Sequence, residues 1–455
     1  MKQNIDLLHG KILPSLTALA VPIMATSLVQ MAYNLTDMAW IGRVGSDAVA
    51  AVGAAGMYTW LSSGLVTIAK MGGQIKAAHS IGEGDRETAG SYGAGAIRLT
   101  LLLAAAFALF VNCFAETLIG FFGLSSPKIV ADAVLYVRIA CGLIVFSYLN
   151  QTLTGLYTAA GNSRTPFAAN CIGMGANIVL DPVLIFGVGP FPRMEAAGAA
   201  IATVTAQAIV TIVLVTSCGK DEVLFPHVKL KQKVPPAIYR TIIRVGLPAG
   251  VQNMIYCMIS MVLTRFVAAW GDQAVAAQRV GSQIESISWM TAEGFGTAIN
   301  AFVGQNYGGK QYDRVKRGYM TAAVIVCLWG TFTSSVLIFG SRPVFSLFIR
   351  EAEVIPVGMS YLRVLGFSQM FMCMEMMTTG ALSGLGKTFQ CSVITVLLTS
   401  ARIPLAVILG GALGLEGIWW AFSLSTIAKG ILFFLYYLRV LGKLTAENAA
   451  WQLFS

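Results

Sequence analysis

The chain has 455 residues, is 56% hydrophobic and 11% charged, and has a mean hydropathy of +0.71. An ordinary soluble domain is about 25% charged, so this composition excludes a soluble enzyme or binding module. The formal charge of +10 does not point to nucleic acid: the basic residues gather in alternate loops between apolar stretches, the positive-inside pattern of a membrane protein with both termini in the cytoplasm.

Apolar stretches long enough to cross a ~30 Å hydrocarbon core are predicted at 14–41, 48–75, 88–112, 130–160, 166–188, 197–217, 240–268, 274–302, 315–340, 355–384, 388–411 and 415–440. They define an all-α polytopic membrane protein with twelve transmembrane helices. The first has no small-residue cleavage site after it, so no removable signal peptide is expected. In it, Gln30, Asn34 and Asp37 share a stripe, with Tyr33 beside them. The fourth carries Asn150, Thr154 and Tyr157 at i, i+4 and i+7. In the fifth, Asn177 and Asp181 lie one turn apart, with Asn170 on the same stripe. Pro182 has no N–H for the carbonyl of Ile178, which predicts a bend or opening beside the carboxylate. The sixth offers Thr203 and Gln207.

An ionised Asp at the centre of a membrane helix costs roughly 2.5–3.5 kcal/mol on insertion scales, so Asp37 and Asp181 are read as functional. If these faces converge, two carboxylates are ringed by neutral donors and acceptors. Close together in low dielectric they cannot both ionise cheaply, which makes a proton-exchange site; the same oxygens suit a hard monovalent cation. Taken singly, Asn34, Asn150, Thr203 and Gln207 read equally well as hydrogen-bonded contacts between helices.

After a basic connector comes Glu285, which predicts either a salt bridge with Arg279 or a cargo contact. Further on, Met372 and Glu375 lie in Met370-Phe-Met-Cys-Met-Glu-Met-Met377, a polarizable wall with one carboxylate that suits hydrophobic cations, or else a plain core stripe. Gly386-Lys387-Thr388 fits a relaxed nucleotide-binding pattern, but a membrane helix precedes it where a strand would be needed, so it reads as a helix C-cap and turn. The eight isolated Cys form no CxxC pair and read as small buried hydrophobes. The scattered His9, His79 and His227 make no metal cluster, and no nucleophilic triad or phosphate loop is readable. An enzyme is not expected.

The halves repeat. Adding 226 to Pro22, Gly45 and Ala48-Val-Ala-Ala51 gives Pro248, Gly271 and Ala274-Val-Ala-Ala277; adding 225 to Thr154, Gly155 and Gly161 gives Thr379, Gly380 and Gly386; adding 222 to Pro182 gives Pro404. This divides the chain into a six-helix lobe at 1–217, a cytoplasmic connector at 218–240 and a second lobe at 241–455. Parallel repeats are a known transporter plan with the cargo path at their interface. Asp37 maps to Leu263, Asn177 to Thr399 and Asp181 to Ile403, so the intramembrane acids of the first half have no counterpart. Glu375 maps to Asn150.

Pro22 with Asp37, Gly42 and Asp47-Ala-Val-Ala-Ala51; Gly72-Gly-Gln74; Gly155 through Gly161-Asn-Ser-Arg-Thr-Pro166; Asn177 to Pro182; Glu195-Ala-Ala-Gly198 through Thr203; Gly246-Leu-Pro248; and Val303-Gly-Gln-Asn306 resemble, in order and over essentially the whole chain, the multidrug and toxic compound extrusion (MATE) family. The resemblance implies two pseudo-symmetric six-helix lobes around a central cavity, in a plasma or inner membrane, exporting lipophilic organic cations in exchange for H⁺ or Na⁺. It is closer to the DinF-like branch, whose coupling site is in the N-terminal lobe: Asp37, Asn177 and Asp181 match that pattern, with Thr203 as the sixth-helix member and a possible Na⁺ held at the first three. The NorM-like branch uses acids on the seventh and tenth helices, and here the seventh has none. The cavity set expected for cargo is Gln30, Tyr33, Asn34, Asn150, Thr154, Tyr157, Gln207, Glu285, Met372 and Glu375. No cofactor is expected beyond the coupling ion, and the partners expected are small molecules and membrane lipid, with the chain a monomer. A lipid-linked oligosaccharide flippase is the rival within the same superfamily; it would be expected to line its cavity with several Arg.

Overall fold

The computed structural model describes residues 4–122, 126–188, 192–348 and 353–454, apart from the side chains of 35, 39, 46, 272, 276 and 445–454. The first half forms α1 (Ile12–Val44), α2 (Ser46–Gly82), α3 (Arg86–Gly120), α4 (Pro127–Gly142), α5 (Val145–Ala159), α6 (Arg164–Phe186) and α7 (Glu195–Ser217). The second forms α8 (Pro236–Ala268), α9 (Asp272–Gly308), α10 (Tyr312–Phe339), the short α11 (Ser341–Ser346), α12 (Val354–Gly366), α13 (Gln369–Gly384), α14 (Thr388–Ser400), α15 (Arg402–Leu413) and α16 (Leu415–Phe454). Among the described residues there is no strand, as expected where lipid cannot satisfy an open backbone.

Nine spans are long and apolar enough to cross a membrane, α14 and α15 counting together, and α4 with α5, bent by 41°, forms a tenth. The other two predicted spans are α9, which carries Arg279, Glu285 and Glu293, and the broken pair α12 and α13. That pair is the repeat mate of α4 and α5. The chain is a multi-pass membrane protein of twelve spans.

The compact units are not the two contiguous halves. One comprises Ile5 and its neighbours with Ala25–Gly250; the other comprises Asp6–Met24 with the chain from Val251 onward. The exchange points fall beside Pro22 in α1 and Pro248 in α8, which are repeat mates. Packing explains it. In the first unit a Cβ on Gly246 would lie 1.9 Å from the carbonyl oxygen of Ile68, so the start of α8 is pressed against α2 as only glycine permits. In the second, Asn306 Nδ2 donates to Leu7 O at 3.0 Å and the Arg314 guanidinium to the carbonyls of Leu7 and Gly10. The residues before α1 are thereby fixed to α9 and α10.

The connector belongs to the first unit and is ordered by one carboxylate. Asp221, 3% exposed, accepts from the backbone N–H groups of Val223, Leu224 and Phe225 at 3.2, 2.7 and 2.9 Å and from Asn4 Nδ2 at 2.8 Å. Phe225 then packs on Tyr157 with ring centroids 4.4 Å apart, and Lys229 pairs with Glu87 at 3.1 Å. Charged hydrogen bonds of this kind contribute roughly 1.5–3 kcal/mol each when made, and lose more when a donor is stranded. Replacing Asp221 by Ala is therefore expected to loosen the segment 218–235, read as faster tryptic cleavage at Lys229, Lys231 or Lys233 with the spans still folded; unchanged cleavage would contradict this role.

Candidate ion site in the first unit

Three helices of the first unit bring the sequence-predicted coupling residues together. Asn177 and Asp181, both 0% exposed, are one turn apart on α6, and Asn177 Nδ2 donates to Asp181 Oδ1 at 3.1 Å. Tyr33 of α1 donates its hydroxyl to Thr203 Oγ1 of α7 at 3.0 Å. Asp37 follows Tyr33 by one turn on α1.

The cluster carries unmet valence on two carboxylates and an amide. Asp37 Oδ1, Asn177 Oδ1 and Asp181 Oδ2 are all buried and none has a hydrogen-bond partner. Among the described residues no basic group comes within ion-pair distance of either carboxylate. Unpaired buried oxygens of this charge are costly and call for a proton or a cation. Oxygen donors alone, with no sulfur or imidazole, suit a hard ion.

α6 runs as one helix across Pro182, so it does not open there, while Pro182 still gives the carbonyl of Ile178 no N–H. Asn170 stays in register with Asn177, and its Nδ2 turns back to the carbonyl of Pro166 at 2.8 Å.

The residues expected to meet cargo separate into different settings. Gln30 and Asn34 form an exposed pair at 3.3 Å on α1. Asn150 is spent inside the first unit: its Nδ2 donates to Gln207 Oε1 at 2.7 Å and its Oδ1 accepts from Thr211 at 2.7 Å. Thr154 is half-buried and its carbonyl holds the Thr158 hydroxyl. Tyr157 is 0% exposed, with its hydroxyl on Leu214 O at 2.8 Å; it is a core residue under the connector.

In the second unit Glu285 has no salt bridge to Arg279; it accepts from Gln369 Nε2 at 2.7 Å and Tyr361 OH at 3.4 Å. Met372 is half-buried on α13. Glu375 does not stand alone in the Met-rich wall: Lys429 Nζ of α16 donates to its Oε1 at 2.7 Å. Two buried cations, Lys429 and Arg402, at 3% and 6% exposure, had no place in the sequence reading. The signal was in the repeat: Lys429 lies 222 after Gln207, and Glu375 lies 225 after Asn150, so an ion pair stands in the second unit where an amide pair stands in the first.

Duplicated six-span halves, helices broken within the membrane and uncompensated acids inside one half define a membrane transporter by fold and site. The MatE family profile matches residues 22–183 and again 248–408, segments that begin 226 and end 225 residues apart, and the chain belongs to that family. It is 27% identical over 430 residues to a protein of Thermotoga maritima named a probable multidrug resistance protein NorM, covering 93% of this chain and 91% of that one. It is 24% identical over 458 residues to a FAD transporter of Shewanella oneidensis, covering 99% of each. A crystal structure of a MATE protein in a bent conformation has the same fold, with a TM-score of 0.90 at 23% identity over 98% of this chain and 99% of that one.

Proposed function

We propose that the protein is a secondary antiporter of the plasma or inner membrane, with both termini cytoplasmic, that exports lipophilic organic cations in exchange for H⁺ or Na⁺. The observation that carries this is the trio of buried oxygens without partners on Asp37, Asn177 and Asp181. An ion arriving there satisfies them; its departure restores the unmet charge. Thr203, tied to Tyr33, transmits occupancy between α1 and α7. Location of the acids in the first half supports the DinF-like branch. Exchange of one monovalent cation for one H⁺ or Na⁺ moves no net charge, so the drive is the concentration gradient of the coupling ion; the potential adds about 2.3 kcal/mol per 100 mV only for each charge that enters in excess of those that leave.

The name of the Shewanella relative raises an anionic cargo as a second reading, and the buried Lys429 and Arg402 favour it. Against it, Glu375 already neutralises Lys429 at 2.7 Å. Everted vesicles separate the two: after a pH or Na⁺ step, movement of ethidium and not of FAD is expected, and ion-driven FAD movement alone would reverse the assignment of cargo. Dye movement indifferent to both ions would remove the antiport reading, and absence of any dye movement would leave the flippase.

A further inference from the structure

The repeat register sets the ion cluster of the first unit beside its counterpart. A shift of 222 takes Asn177 to Thr399, Asp181 to Ile403 and Thr203 to Ser425, and a shift of 226 takes Tyr33 to Ile259 and Asp37 to Leu263. Ile259 and Leu263 are 6% and 1% exposed and pack with Ile403 and Ala406 in an apolar core. The counterpart has thus lost both acids and the tyrosine.

It has gained a charge of the other sign. Arg402, the first residue of α15, donates from Nε to Ser425 Oγ at 3.2 Å and from Nη2 to Thr426 Oγ1 at 2.9 Å. Ser425 is the mate of Thr203, so the guanidinium makes in the second unit the contact that Tyr33 makes in the first. Ser425 passes its own proton to Leu398 O at 2.7 Å, which orients its oxygen toward Arg402. The guanidinium also lies 5.3 Å over the ring of Phe422, an attractive placement for a cation. Among the described residues no carboxylate is within ion-pair distance of it.

We propose that Arg402 is a resident cation: its guanidinium takes, on Ser425, the place that Tyr33 takes on Thr203, and so fixes a charge beside the apolar counterpart of the ion cluster, so that only one of the two duplicated sites can be loaded and emptied. A buried cation held by two hydroxyls and a ring cannot leave, and it repels any mobile cation that approaches. The duplication yields one working ion site and one counterpart closed by an apolar core and a fixed charge. The inference rests on reading the first-unit cluster as the ion site, and two measurements keep the two claims apart.

The first uses no transport. In nanodiscs, Arg402→Ala is expected to melt below wild type and to recover with millimolar guanidinium chloride, far below denaturing concentration, and not with KCl at equal ionic strength; wild type is expected to respond to neither. A variant that melts like wild type, or one that KCl restores as well as guanidinium does, overturns the proposal. Arg402→Gln, which keeps most of the volume, repeats the comparison. The second needs no Arg402 variant: ion uptake per chain is expected to saturate at one in wild type and to vanish in Asp37→Asn/Asp181→Asn. Saturable uptake that survives in the double variant overturns the resident cation, whereas no uptake in wild type overturns the ion-site reading and leaves the guanidinium test standing.

Discussion

Replacing Asp181 by Asn brings ion-driven export down to the level of empty vesicles while leaving the protein inserted and no less stable. The amide keeps an acceptor for Asn177 Nδ2, which now bonds Asp181 Oδ1 at 3.1 Å, so α6 has no cause to unravel. What disappears is a buried charge whose second oxygen has no partner, and removing such a charge lowers the desolvation cost of the folded state. Asp37→Asn is expected to behave in the same way. The combination of lost export with an unchanged or raised melting temperature is diagnostic, because a merely structural carboxylate would lose stability along with function. A thermal melt and a dye-export trace on the same preparation check it; a large fall in melting temperature would contradict it.

Lys429→Gln, by contrast, destabilises the second unit by roughly 3–5 kcal/mol, the usual consequence of stranding one member of a buried ion pair. Glu375 and Lys429 are 12% and 4% exposed at the side chain, so water cannot replace the lost partner. The repeat supplies the remedy. Asn150 and Gln207 occupy the equivalent positions and bond at 2.7 Å, the same distance as the ion pair. The double variant Glu375→Asn/Lys429→Gln transplants that pair and is expected to recover most of the loss, since an uncharged pair in place of a buried ionic one is often neutral or better. Measured by a double-mutant cycle on thermal stability, additive losses would show that the two side chains do not work as a couple.

The twelve spans were readable because hydrocarbon imposes one demand, length with apolarity, that few polar residues can disguise. The least apolar of them, α9, was predicted with the others, at 274–302. Asp37, Asn177 and Asp181 stood out by cost: a lone acid in a span has no cheap explanation. Tyr157 and Asn170 are harder to read, since a hydroxyl or an amide is inexpensive enough to be settled locally by a single carbonyl, as both are here. The exchange of helix halves beside Pro22 and Pro248 depends on close packing such as that of Gly246 on Ile68, which no local pattern encodes. Arg402 hid because its partners, Ser425 and Thr426, are uncharged and more than 20 residues away; only the aligned repeat brings Thr203 and Ser425 into comparison.

The sharpest check is export of a cationic dye from proteoliposomes containing only this protein, with a pH gradient and a Na⁺ gradient each imposed alone, in wild type and in Asp181→Asn. Export under at least one of the two gradients in wild type, and under neither in the variant, is the expected result. Equal gradient-driven export by both proteins would mean that the buried oxygens of α1 and α6 do not carry the coupling ion.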